Sequence, residues 1–68
     1  MRMMPEDVRD RVVTELDELT ERIFKLGSFL YNEEKVKQLS AEQYKLMKKQ
    51  LKFMEGYRGV LIQRLEED

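Results

Sequence analysis

Cysteine and histidine are both absent from this 68-residue chain. Disulfides and the commonest zinc-ligand sets are therefore excluded. The nucleophile–base pairs of familiar hydrolases cannot be assembled either, and the hydroxyls of Thr14, Thr20, Ser28 and Ser40 have no evident activating partner. Long hydrophobic runs are missing too, and no segment approaches a secretory signal core or a membrane span. The expected setting is soluble and intracellular, in a reducing cytoplasm. One-sided charge is a further absence. Charged residues make up 40% of the chain but the net charge is only −1, so no global field recruits nucleic acid or an anionic membrane.

A chain this short sits where a single hydrophobic core is marginal. With disulfides and zinc excluded, association with further copies is the expected source of stability. Charge is split along the sequence. From Glu6 to Glu21 seven acids face Arg9 and Arg11, a local balance of −5, whereas from Lys35 to Lys52 six lysines face only Glu42, a balance of +5.

Pro5, Glu6 and Asp7 form a helix-start signal, because proline suits a first turn and acids complement the N-terminal dipole. Beyond them Val8, Val12, Leu16, Leu19, Ile23, Leu26 and Leu30 recur every three or four residues, one continuous helical stripe. A second partial stripe of Val13, Phe24 and Tyr31 widens the apolar arc beyond what one partner helix covers. The spacing predicts helix one over about 6–32. The polar segment of about 33–39 breaks the pattern and is expected to be a loop. Ser40-Ala41-Glu42-Gln43 reads as a capping box, flanked by Leu39 and Tyr44 at the staple positions. Helix two is expected over about 41–66, with Tyr44, Met47, Leu51, Met54, Leu61 and Leu65 on one stripe and Leu46, Phe53, Tyr57 and Val60 on another. The fold class is all-α: one domain, an antiparallel two-helix hairpin assembling into a homo-oligomeric helical bundle. Antiparallel packing keeps the acidic and basic segments of one hairpin apart, so head-to-tail neighbours are expected to pair them.

Surface acids such as Asp17 and Glu21 read as a solvated face rather than a metal site. No metal, cofactor or catalytic residue is expected. Gly56 and Gly59 inside helix two each cost about 1 kcal/mol relative to alanine. They imply either close approach of helices at an oligomer interface or a ligand against the backbone, with Tyr57 as a stacking face and Arg58 and Arg64 as phosphate-binding forks. Arg22 and Lys25 interrupt the acidic run of helix one. In an oligomer, such bases from several copies would converge on shared clefts suited to a small anion.

The string Arg11-Val12-Val13-x-Glu15-x-x-x-Leu19-x-x-Arg22-Ile23-x-x-Leu26-x-x-Phe29-Leu30, followed by Gln50-x-x-x-Met54-x-x-Tyr57-x-x-Val60-Leu61-x-x-Arg64-Leu65, resembles the phage anti-CBASS cyclic-oligonucleotide sponges. Their hairpin domain is shared with a sponge that counters Thoeris defence. The resemblance implies a homohexamer that holds cyclic dinucleotides and cyclic trinucleotides without cleaving them, in the cytoplasm of an infected bacterium. The family's dinucleotide site uses an aromatic residue near the start of helix one, a position that falls here at Asp7 or Val8, neither of which stacks a base. Its lysine falls on Arg22, and an arginine serving the trinucleotide pocket falls on Arg64. The candidate ligand-binding residues are Val8, Arg22, Lys25, Gly56, Tyr57, Arg58 and Arg64. A non-catalytic oligomeric scaffold is the alternative reading, and binding of polymeric nucleic acid through Lys35 to Lys52 ranks last, given the near-neutral net charge.

Overall fold

In the computed structural model, which describes residues 4–68, α1 spans Glu6–Leu30, a short α2 spans Glu33–Val36, and α3 spans Ala41–Glu67. No strand occurs among the described residues. Pro5 occupies the cap position of α1 with φ −58° and ψ 153°, and its carbonyl accepts the first helical bond from Arg9 N–H at 3.0 Å. Glu6 and Asp7 fill the first turn, where acids offset the helix dipole. Ser40 caps α3, its Oγ accepting from Gln43 N–H at 3.1 Å.

The connection differs from a plain loop. Helix α1 stops at Leu30, and Tyr31 N–H closes its end on the Gly27 carbonyl at 3.1 Å. Asn32 then starts a new turn, its Oδ1 accepting from Lys35 N–H at 3.2 Å. Glu33 and Glu34 stand at the dipole-favoured start of α2 and Lys35 in its last turn. A four-residue helix is too short to display apolar periodicity. Its only sequence signal is the cap, an Asn before two acids.

Helices α1 and α3 pack antiparallel along one seam. Val12, Leu19 and Leu61, at 3%, 4% and 1% exposure, are the buried hydrophobic core among the described residues. Met4, Val8, Leu16, Ile23, Met54 and Leu65 pack partly buried around them. This packing runs from the end of the hairpin away from the connection to just past its middle, at Ile23 and Met54. In the other half Leu26, Leu30, Tyr44, Met47 and Leu51 are only half-buried. The far end is further closed by Asp68, whose carboxylate is 1% exposed and accepts from Met4 N–H at 2.9 Å and Arg9 Nη1 at 2.8 Å. A charge-assisted bond of this kind is strong enough to justify burying the carboxylate.

The molecule measures 51 × 15 × 13 Å with a radius of gyration of 15.5 Å. A globular chain of this length would have a radius near 11 Å. The accessible surface is 5637 Å², whereas a compact monomer of this mass exposes roughly 4,600 Å². The excess, about 1,000 Å², is comparable to what one partner contributes to a standard protein interface.

Leu61 anchors the seam, so Leu61→Ala is expected to cost about 2–5 kcal/mol. Urea denaturation followed by circular dichroism measures this. A loss under about 1 kcal/mol would mean that the seam is not the core.

Candidate functional site

The second apolar stripes are left outside the seam. Phe24 and Tyr31 of α1 are 74% and 90% exposed, and Phe53 of α3 is 65% exposed. Val13, Leu46, Tyr57 and Val60 complete the exposed set. At about 100° per residue, Val13, Phe24 and Tyr31 stand a quarter turn to one side of the inward residues of α1. Leu46, Phe53, Tyr57 and Val60 stand a quarter turn to the opposite side of the hairpin on α3. The hairpin therefore has two broad faces, each carrying an apolar strip from one helix beside a polar strip from the other.

On the first face Arg58 is fixed against α1. Its Nε donates to Thr20 Oγ1 at 3.0 Å, and the Thr20 hydroxyl in turn donates to the Leu16 carbonyl at 2.7 Å. Thr20, Ile23, Phe24, Glu55 and Arg58 line a shallow cavity of about 370 Å³ there. A guanidinium held on a neutral hydroxyl keeps its charge for an outside anion while losing rotamer freedom in advance. Nearer the connection the same face has a second cleft of about 330 Å³, lined by Gly27, Leu30, Tyr31, Tyr44, Lys48 and Leu51.

The other candidates are dispersed. Arg22 is exposed and has no hydrogen bond or ion pair among the described residues. Helical spacing puts it on the opposite face with Tyr57 and Arg64. Arg64 touches Met4 Sδ at 3.9 Å, a weak contact that leaves the guanidinium exposed. Lys25 pairs with Glu21 at 3.2 Å, with both side chains more than 65% exposed, and such a pair is readily exchanged for another partner. Val8 is half-buried and packs against the core. Gly56 and Gly59 face open space, since a Cβ at either meets nothing within 4 Å. Nothing inside the hairpin requires them to be glycine. Within one chain the structure joins Arg58 to Thr20 and Phe24 and leaves the remaining candidates in separate places.

Sequence reading missed two features. The Asp68 clamp carries no pattern of its own, because one carboxylate beside Arg9 exists only after folding. The Tyr31–Tyr44 cleft was hidden because both tyrosines also fit apolar stripes. The spacing of Tyr44 and Lys48, one helical turn apart, was the available signal.

No three acids among the described residues lie close enough to hold a metal ion, and no helix among them is long and apolar enough to cross a membrane. What the surface of this all-α hairpin offers is exposed aromatic rings, guanidinium groups and shallow clefts. The Sequestin family model matches residues 6–67, nearly the whole hairpin, and the chain belongs to that family. The family name points to a sequestering protein, in accord with the resemblance to the sponges. No curated protein and no solved structure matches the chain.

Gly56→Ala and Gly59→Ala are each expected to raise the unfolding free energy by about 0.5–1 kcal/mol through helix propensity. Urea titration of each variant at low protein concentration measures it. A loss instead of a gain would place another surface against that side of α3.

Proposed function

We propose that this protein is a phage anti-defence sponge that binds cyclic di- and trinucleotide immune signals and holds them intact, so that CBASS-type effectors in the infected cell stay inactive. The observation that carries this reading is the family match over residues 6–67. The family name gives sequestration, and the surface supplies groups suited to anionic, base-bearing ligands. Holding a ligand intact makes no use of nucleophiles or general bases. Tight sequestration depends on pre-organised contacts alone.

The working unit in this reading is a homo-oligomer, a hexamer by the resemblance, acting in the bacterial cytoplasm. Two apolar strips on opposite faces support it, since a single neighbour in a twofold pair covers only one of them. Charge supports it as well. No ion pair among the described residues joins the acids of Glu6 to Glu21 with the lysines of Lys35 to Lys52, so both stretches are left for neighbouring copies. Clefts between copies would then gather residues that one hairpin keeps apart. Arg22, Lys25 and Tyr57 would serve one class of cleft and Arg58 and Arg64 another, with Gly56 and Gly59 admitting a close approach of ligand or neighbour. Asp7 or Val8 falls at the position where the sponges have an aromatic, and neither would stack a base, so Val8 would contribute an apolar wall.

Isothermal titration with a panel of cyclic di- and trinucleotides tests the reading. The expected result is binding at or below micromolar concentration, with ligand recovered intact after denaturation. Arg22→Ala or Arg64→Ala is expected to weaken one ligand class by about tenfold or more, the scale of a lost charge-assisted contact. No binding across the panel, or recovery of linear products, would overturn it. A defined oligomer without affinity for any of them would favour the scaffold reading, which the exposed apolar faces also fit.

A further inference from the structure

The cleft beside the connection joins Tyr31, at the end of the apolar strip of α1, to Tyr44 and Lys48 of α3. Tyr31 closes α1 and is 90% exposed, yet its backbone is held by the bond from its N–H to the Gly27 carbonyl. Tyr44 lies in the first turn of α3 just beyond the Ser40 cap and is half-buried, so its ring is anchored. Lys48, one turn further, sets its ammonium 5.4 Å from the centre of the Tyr44 ring. The cleft's wall at Gly27 is bare backbone, and a Cβ there would meet nothing within 4 Å. An exposed ring on one helix, an anchored ring on the other and an open wall at Gly27 form a cavity of about 330 Å³.

Lys48 is the one charged residue that lines this cleft. No acid lines it, and from Gln43 to Met54 the sequence carries Lys45, Lys48, Lys49 and Lys52 with no Asp or Glu. The other cavity on this face includes Glu55, and one near the start of α1 is lined by Asp10, Glu15 and Glu18. In the first of these Glu55 is balanced by Arg58, and in the second Arg11 stands among the acids, so neither has a base without an acid beside it. Aromatic rings stack with any planar base, and a lysine already placed over one ring can turn to meet a phosphate attached to that base.

We propose that Tyr31, Tyr44 and Lys48 form a mononucleotide site within a single protomer, the base stacking on the tyrosines and the phosphate meeting Lys48. The site draws on one hairpin alone and does not rest on the sponge reading; in an oligomer it requires the contact on this face to run through Val13 and Phe24 and to leave Tyr31 open. It would persist if cyclic oligonucleotides failed to bind.

The probe is adenosine 5′-monophosphate, titrated into the full chain with ring-labelled tyrosine and followed by nuclear magnetic resonance. The ring signals of Tyr31 and Tyr44 are expected to shift on saturation, while Tyr57, on the opposite face, stays in place. Tyr31→Ala removes a ring that contributes almost nothing to folding and is expected to weaken binding about tenfold or more. Lys48→Gln is expected to reduce affinity for the monophosphate to that for adenosine. The proposal is overturned if the monophosphate moves neither ring, if Tyr57 shifts as much as they do, or if inorganic phosphate alone produces the same ring shifts. It is equally overturned if Tyr31→Ala binds as tightly as the parent chain.

Discussion

A pair of helices shares only one seam, and that geometric limit governs everything else about this molecule. Helices of 25 and 27 residues can each turn one stripe inward, and here the stripes meet over a core with three buried residues, Val12, Leu19 and Leu61. At roughly 1.5–3 kcal/mol for each fully buried aliphatic side chain, those three offset only a few residues' worth of the backbone entropy lost on folding. The remaining apolar side chains are half-buried or outside. Exposed aromatics on both faces are thus the consequence of building a thin rod from a sequence that is 41% hydrophobic.

Stability is also uneven along the rod. The end away from the connection has most of the core and the Asp68 clamp to Met4 and Arg9. The connection end relies on two local caps, Asn32 and Ser40, and on half-buried side chains. The most exposed aromatics, Tyr31, Phe24 and Phe53, lie toward this less buried half together with Tyr44. A surface that is poorly satisfied alone is one on which an added copy or a bound ring gains most. Binding and folding are linked there by mass action.

Sequence alone revealed the repeated elements and lost the unique ones. The spacing from Val8 to Leu30 defined α1 because seven positions report the same face, and Ser40 to Gln43 marked the start of α3 because capping requires those side chains. The second stripes were legible for the same reason, and Val13, Phe24, Phe53 and Tyr57 are indeed left outside the seam. Features made by a single residue were not legible. The turn of α2 hid behind polar composition, and Arg58 gave no sign that Thr20 would hold it. A hairpin brings residues 38 positions apart into contact, and only the relative rotation of the helices decides which ones meet.

The central claim is that this hairpin is a part of a larger assembly whose shared surfaces do the work. Light-scattering mass at micromolar concentration tests it most directly, against a single-chain mass of 8.3 kDa. The account predicts a discrete species of more than two chains, held together by both apolar faces and further stabilised by a cyclic oligonucleotide. A stable monomer, or a dimer that ligand leaves unchanged, would contradict it.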